Sequence, residues 1–187
     1  MSKSITTEKI LLPKVRLSFP HLYTPKAFAP GQDPRFQATF LLDPANAEHK
    51  PVIDKIKSEI GRIQKEAGLS GDVKYCMGNG HKKAYEGYAG MVYLSTSNTV
   101  RPTVVNRAKA PVAEGDRQAP YAGCYVNATV TLWTQKNQYG QRVNANLRAV
   151  QFVKDGAGFG RAPVDADEEF EALEAGAPGA ASDDFEI

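Results

Sequence analysis

Aromatic rings and guanidinium groups fall together on one side of several alternating segments of this chain. In residues 121 to 134 the odd positions include Tyr121, Tyr125 and Trp133, and the even positions are Ala122, Cys124, Val126, Ala128, Val130 and Leu132. Alternation with period two is the signature of a half-buried strand, so the three rings point away from the core. Residues 142 to 149 repeat the pattern, with Val143, Ala145, Leu147 and Ala149 set against Arg142, Asn144, Asn146 and Arg148. Flat rings offer faces on which unpaired bases stack, and cations beside them hold the phosphates in between. The set Tyr93, Tyr121, Tyr125 and Trp133 with Arg16, Arg35, Arg142 and Arg148 is therefore suited to a flexible polyanion with exposed bases. The less favoured reading is that the same rings cover a homodimer interface or sit beneath a long loop.

Three further segments must position these side chains. Residues 35 to 42 place Phe36, Ala38, Phe40 and Leu42 inward and Arg35, Gln37 and Thr39 outward. Residues 14 to 19 set Val15, Leu17 and Phe19 against Lys14, Arg16 and Ser18, and residues 91 to 97 set Val92 and Leu94 against Tyr93, Ser95 and Ser97. Between the second and third of these strands, Val52, Ile53, Ile56, Ile60, Ile63 and Ala67 recur at helical spacing and end at Gly68. Pro51 is tolerated only in a first turn, so the helix starts near Asn46 or just before Pro51. Asn137 to Gly140 reads as a hairpin turn. Residues 70 to 90 and 107 to 119 read as long loops, and Lys82, Lys83, Arg101, Arg107, Lys109 and Arg117 extend the positive charge along them. Tyr75, Tyr85 and Tyr88 adjoin those cations, where they either stack on a ligand, as Tyr88 is expected to, or anchor the loop.

A mainly β fold with one or two helices follows, and five mostly antiparallel strands with one helix suit a partly open barrel of the oligonucleotide-binding (OB) type. A twisted sheet on a single helix is the competing architecture. The domain is expected to span residues 1 to 161 and to carry a separate tail, residues 162 to 187. All 23 basic side chains lie in the first part with 12 acidic ones, a formal charge of +11, whereas the tail carries nine carboxylates and no Lys or Arg. Its Ala, Gly, Pro and acidic content is too poor in large apolar groups to offset ordering, so it is expected to be disordered apart from a turn around Glu168 to Leu173. A positive groove can be filled by nucleic acid or by the protein's own carboxylates, so the tail is expected to compete. Its end, Asp183, Asp184, Phe185, Glu186 and Ile187, combines charge with two large apolar groups and suits docking on a partner protein.

No catalytic reading arises. His21, His49 and His81 are scattered, Cys76 and His81 lack further ligands for a metal, and no cofactor is implied. Gly156-Ala157-Gly158-Phe159-Gly160 lacks the Lys-Ser/Thr of a phosphate loop and reads as an exit to the tail. Two cysteines, no apolar run long enough to span a bilayer and no apolar leader point to a cytoplasmic protein with free thiols and no membrane contact.

Residues 16 to 26 (RLSFPHLYTPK), 86 to 91 (EGYAGM), 101 to 105 (RPTVV), 121 to 127 (YAGCYVN) and 143 to 156 (VNANLRAVQFVKDG) resemble, in order, the single-stranded DNA-binding proteins of tailed bacteriophages and prophages. The resemblance covers about residues 10 to 161. It implies an OB-fold protein that coats single-stranded DNA in phage replication or recombination without sequence preference, in the cytoplasm of a bacterial host. The acidic end is similar to tails that recruit replication and repair proteins, although Phe185 stands third from the end instead of last. The alternative is a protein-interaction or dimerisation module of a replication complex, with incidental nucleic-acid binding. If the basic face neutralises roughly five phosphates of a single strand, log K against log salt should have a slope of about −3.5. Titrating an oligonucleotide at several salt concentrations measures it, and a slope near zero would exclude the electrostatic reading.

Overall fold

The structure, a computed structural model, describes residues 3–159. Its elements are β1 (Ile10–Lys26), β2 (Arg35–Leu42), α1 (His49–Glu66), β3 (Val73–Tyr75), β4 (Met77–Asn79), a 3-10 turn (Gly80–Lys82), β5 (Val92–Asn98), β6 (Thr103–Val105), β7 (Tyr125–Asn137) and β8 (Gly140–Lys154). Five of them close a barrel in the order β1-β2-β5-β8-β7 and back to β1. Four contacts are antiparallel, and the fifth, β5 to β8, is parallel through Ser97 and Asn146. The five alternating segments and the helix between the second and third are thus the barrel expected from the sequence. The acidic segment 162–187, with the docking motif expected at Asp183 to Ile187, lies outside the described residues.

The inward positions fill the barrel. Leu12, Val15, Leu17, Phe40, Leu42, Leu94, Val126, Leu132, Val143 and Leu147 are all fully buried. The helix covers one end with Ile53, Ile56, Ile60 and Ile63, one stripe at spacings of three and four. Pro51 falls in its first turn, and Gly68 follows the C-cap Ala67 at φ +66°, where a β-carbon would be strained. At the other end of the chain, Asn137 pairs with Gly140 across a two-residue hairpin.

The seam between β5 and β8 is narrow because of one short segment that was expected to be loop. Tyr75 of β3 pairs with Val143 of β8, and Met77 of β4 pairs with Leu94 of β5. Cys76 between them donates its N–H to Val143 (3.0 Å) and accepts from the Ser95 N–H (2.8 Å), bridging the two diverging strands. Burial pushes the Cys76 thiol up to about 12 and the Cys124 thiol up to about 11, so both free thiols stay protonated at neutral pH. The three-residue β6, in a stretch for which the sequence suggested no element, pairs with β8 at Ala149 to Gln151.

The expected face of β1 is corrected at Phe19. A register shift between Ser18 and His21 inserts an extra residue opposite β2, and Phe19 takes φ +46°. Each such insertion reverses the alternation, so Ser18 is buried and Phe19, expected in the core, is 49% exposed. A second shift, between Leu12 and Val15, is held by His49 at the start of the helix. The His49 Nδ1 accepts the Asp43 N–H (3.0 Å), and its Nε2–H points at the carbonyls of Pro13 (2.9 Å) and Lys14 (3.2 Å). Replacing His49 by Ala leaves these part-buried backbone groups without their partner and should lower stability by about 1–2 kcal/mol in chemical denaturation. Replacing Glu48, whose contact with Lys14 is exposed on both sides, should barely change it.

Candidate nucleic-acid interface

Outward side chains of β1, β2, β5 and β8 form one groove across the barrel. Its aromatic part is a hollow of about 360 Å³ bordered by Phe19, His21, Phe28, Tyr85 and Tyr93, with Lys26 and Lys83 on the rim. Toward the chain's exit it continues past Phe19 and Tyr85 to Ala122 and Phe159, and toward the seam it runs over Gln37, Thr39 and Ser95 to Lys74 and Arg142. The bulge at Phe19 is what brings a ring into this groove. Phe19 meets Tyr85 edge to face at 4.9 Å, and Tyr85 meets Tyr88 at 5.3 Å. Such edge contacts orient the rings while leaving their faces available.

Tyr88 supports the cluster from below. Only 2% of it is exposed, and its hydroxyl donates to Ser18 Oγ (2.9 Å), the polar group the bulge turned inward. Burial raises its pKa, so the hydroxyl remains a donor. Tyr93 lies over β4, where a β-carbon on Gly78 would come 2.5 Å from its hydroxyl, and Lys83 Nζ sits 5.4 Å from its ring centre. Lys26 Nζ lies 5.5 Å from the centre of Phe28. The His21 pKa is lowered, by burial first and the Lys26 charge second, so at neutral pH the imidazole is an uncharged wall of the groove.

The expected cations and rings divide into groups. Lys83, Tyr93 and Arg142 line the groove, with Arg35 at its edge bonded to Ser97 Oγ (3.2 Å) and Lys82 exposed in the adjoining 3-10 turn. Arg16, Tyr121 and Tyr125 instead hold the segment that leaves the barrel. Arg16 donates to the carbonyls of Gly123 (3.2 Å) and Ala157, and its guanidinium stacks 4.1 Å from the centre of Phe159. Tyr121 donates to Asp155 (2.8 Å) and accepts the Gly156 N–H, while Tyr125 packs beside Gly156 and under Lys154. Arg101 lies over Tyr23, Arg107 and Lys109 occupy a turn beside β6, and Arg148 is exposed on β8; none of the four lines the groove.

Trp133 is also elsewhere. It pairs with Thr6 of the N-terminal segment, and its Nε1 is buried with no hydrogen-bond partner among the described residues. Conversely, Phe19, His21, Lys26, Phe28 and Lys74 line the groove although sequence reasoning did not select them. The signal for Phe19 was Pro20, which has no N–H for the ladder and so marks a break in register. Among the described residues no cluster of His, Cys, Asp or Glu is suited to a metal ion, and no helix is long and apolar enough to cross a membrane.

The groove's barrel is shared with known proteins. The structure is similar to that of the single-stranded DNA-binding protein from bacteriophage Enc34 in complex with single-stranded DNA, with a TM-score of 0.71 and 28% identity over 81% of this chain and 89% of the other. Similarity to gp2.5, the single-stranded DNA-binding protein of bacteriophage T7, has a TM-score of 0.54 and 12% identity over 92% of this chain and all of the other, a likeness of fold alone. Putative protein p50 of Acyrthosiphon pisum secondary endosymbiont phage 1 is 37% identical over 177 residues, 88% of this chain and 94% of that protein. A family profile described as Enterobacter phage Enc34, ssDNA-binding protein, matches residues 8–185, and the chain belongs to that family.

Proposed function

We propose that this chain binds single-stranded DNA without requiring a defined sequence, coating and protecting strands exposed during phage replication and recombination in the host cytoplasm. The carrying observation is the groove itself: exposed rings of Phe19, Phe28 and Tyr85, rimmed by Lys26 and Lys83, on the barrel shared with a protein solved with single-stranded DNA bound. Bases stack on the rings, and the lysines with Arg142 and Lys74 follow the phosphates. Lys82, Arg35, Arg101, Arg107, Lys109 and Arg148 extend the positive field that attracts the strand. The role is binding, with no chemical step. Phe19→Ala should weaken binding of oligo(dT) about tenfold, within the range for loss of one stacked base. Because Phe19 is half exposed, thermal stability should stay near that of the unmodified protein. Unchanged affinity in fluorescence anisotropy would remove the groove from the account.

The tail belongs to the same reading. Phe159, the last described residue, lies against Arg16 at the end of the groove. The nine carboxylates of residues 162 to 187 compete with phosphates, and Asp183 to Ile187 recruit replication or recombination proteins once DNA displaces them. Deleting residues 162–187 should raise affinity for oligo(dT), most at low salt where screening is weak. Equal affinity of the full-length and shortened proteins at low salt would exclude competition.

A further inference from the structure

The groove does not have the same chemistry along its length. All its exposed rings but one lie at the Phe19 end, whereas the seam between β5 and β8 opens into a separate pocket of about 250 Å³ with a polar floor. Gln37, Thr39 and Ser95 belong to both the aromatic hollow and this pocket, so one strand can run from one to the other without leaving the surface. Beyond them stand Asn144, Lys74 and Arg142. The one ring here, Tyr75, has its hydroxyl committed to Gln64 Oε1 (2.8 Å) at the pocket's rim.

We propose that the seam pocket is a base-reading subsite that favours the O4 of thymine over the N4 amino group of cytosine, resting on the single-stranded DNA binding proposed above. A base that enters a pocket with a single ring, and that ring tied at the rim, is held chiefly by its edge, and the edge then matters. The N4 amino group of cytosine is read best by a carboxylate, whereas a keto oxygen is read by Lys or Arg. No Asp or Glu lines this pocket, and its two charged groups are the donors of Lys74 and Arg142. The Asn144 amide already donates to Gln135 Oε1 (2.9 Å), which fixes its orientation. The cations therefore face O4 of thymine favourably and the N4 amino group of cytosine unfavourably. Stacking at the aromatic end accepts any base, so the protein still coats all sequences while preferring some.

Oligo(dT) and oligo(dC) of equal length separate this from stacking, because both pyrimidine strands are weakly self-stacked. Measured at pH 8, where cytosine is neutral, the full-length protein should bind oligo(dT) at least about fivefold more tightly, the low end of one good base-edge contact. The double variant Lys74→Met with Arg142→Met should weaken both and bring their ratio to about one. Phe19→Ala should weaken both and keep the ratio. Equal affinities in the unmodified protein, or a preference for oligo(dC), would overturn the inference while leaving single-stranded DNA binding in place. So would a preserved ratio in the double variant, which would make Lys74 and Arg142 phosphate contacts only. Failure to bind either strand would instead overturn the proposed function along with the inference.

Discussion

Everything on the outer face depends on where β1 breaks its register. A strand presents alternate side chains to opposite faces, so one inserted residue exchanges the two sets beyond it. β1 is the strand that pairs with both β2 and β7, and two of its three register shifts, at Leu12/Val15 and Ser18/His21, each include a proline, Pro13 and Pro20. Neither proline has an N–H to give to a ladder, and both are followed or preceded by a non-glycine residue at positive φ, Lys14 and Phe19. The backbone cost of those conformations is offset elsewhere: His49 bonds the carbonyls of the first bulge, and Tyr88 bonds the inward Ser18 of the second. The second compensation also fixes the loop that carries Tyr85. Strain in β1 is thus coupled to the placement of two groove rings, Phe19 directly and Tyr85 through Tyr88.

Charge follows the same division. The three ion pairs among the described residues, Lys14 with Glu48 and Arg62 with Glu59 and Glu66, all lie away from the groove. Lys26, Lys74, Lys83 and Arg142, by contrast, stand at its rim without a carboxylate within salt-bridge distance among the described residues. Cations left uncompensated beside low-dielectric rings focus the field into the cleft. The helix, with its mixed charges, closes the opposite end and contributes none of the groove's lining.

Much of this was legible in the sequence where a repeat was long enough to read. Seven or more residues of alternation marked β2, β5, β7 and β8, and four turns of apolar spacing marked α1. β3, β4 and β6 have three residues each, too few for a period to show, although β3 and β4 close the barrel. The same alternation misled at Phe19, because it assumes an unbroken ladder, and it overstated Trp133, because an outward position on β7 is still covered where the N-terminal segment pairs with it. Tyr125 stands on the outer side as expected, whereas Tyr121 precedes β7 and packs partly against the core, and what meets both is the chain's own residues 155 and 156. Alternation states which side of a sheet a residue occupies, and only tertiary structure states what else lies there.

That last contact bears on how an acidic tail and a basic groove can work in one chain. Competition inside a molecule depends on effective concentration, which is set by where the tether is rooted. Here the root is fixed by Arg16, Tyr121 and Tyr125, side chains that composition alone would assign to DNA, so part of the positive face holds the exit segment instead of the ligand. Twenty-eight residues follow Phe159. Even at the short helical rise of about 1.5 Å per residue they would span roughly 40 Å, against about 14 Å for the three strand spacings the groove crosses. Reach would therefore not limit the proposed competition. The root would instead set the direction from which the proposed competitor approaches: a tail released from Arg16 and Tyr121 would keep all its carboxylates and start from a less defined point.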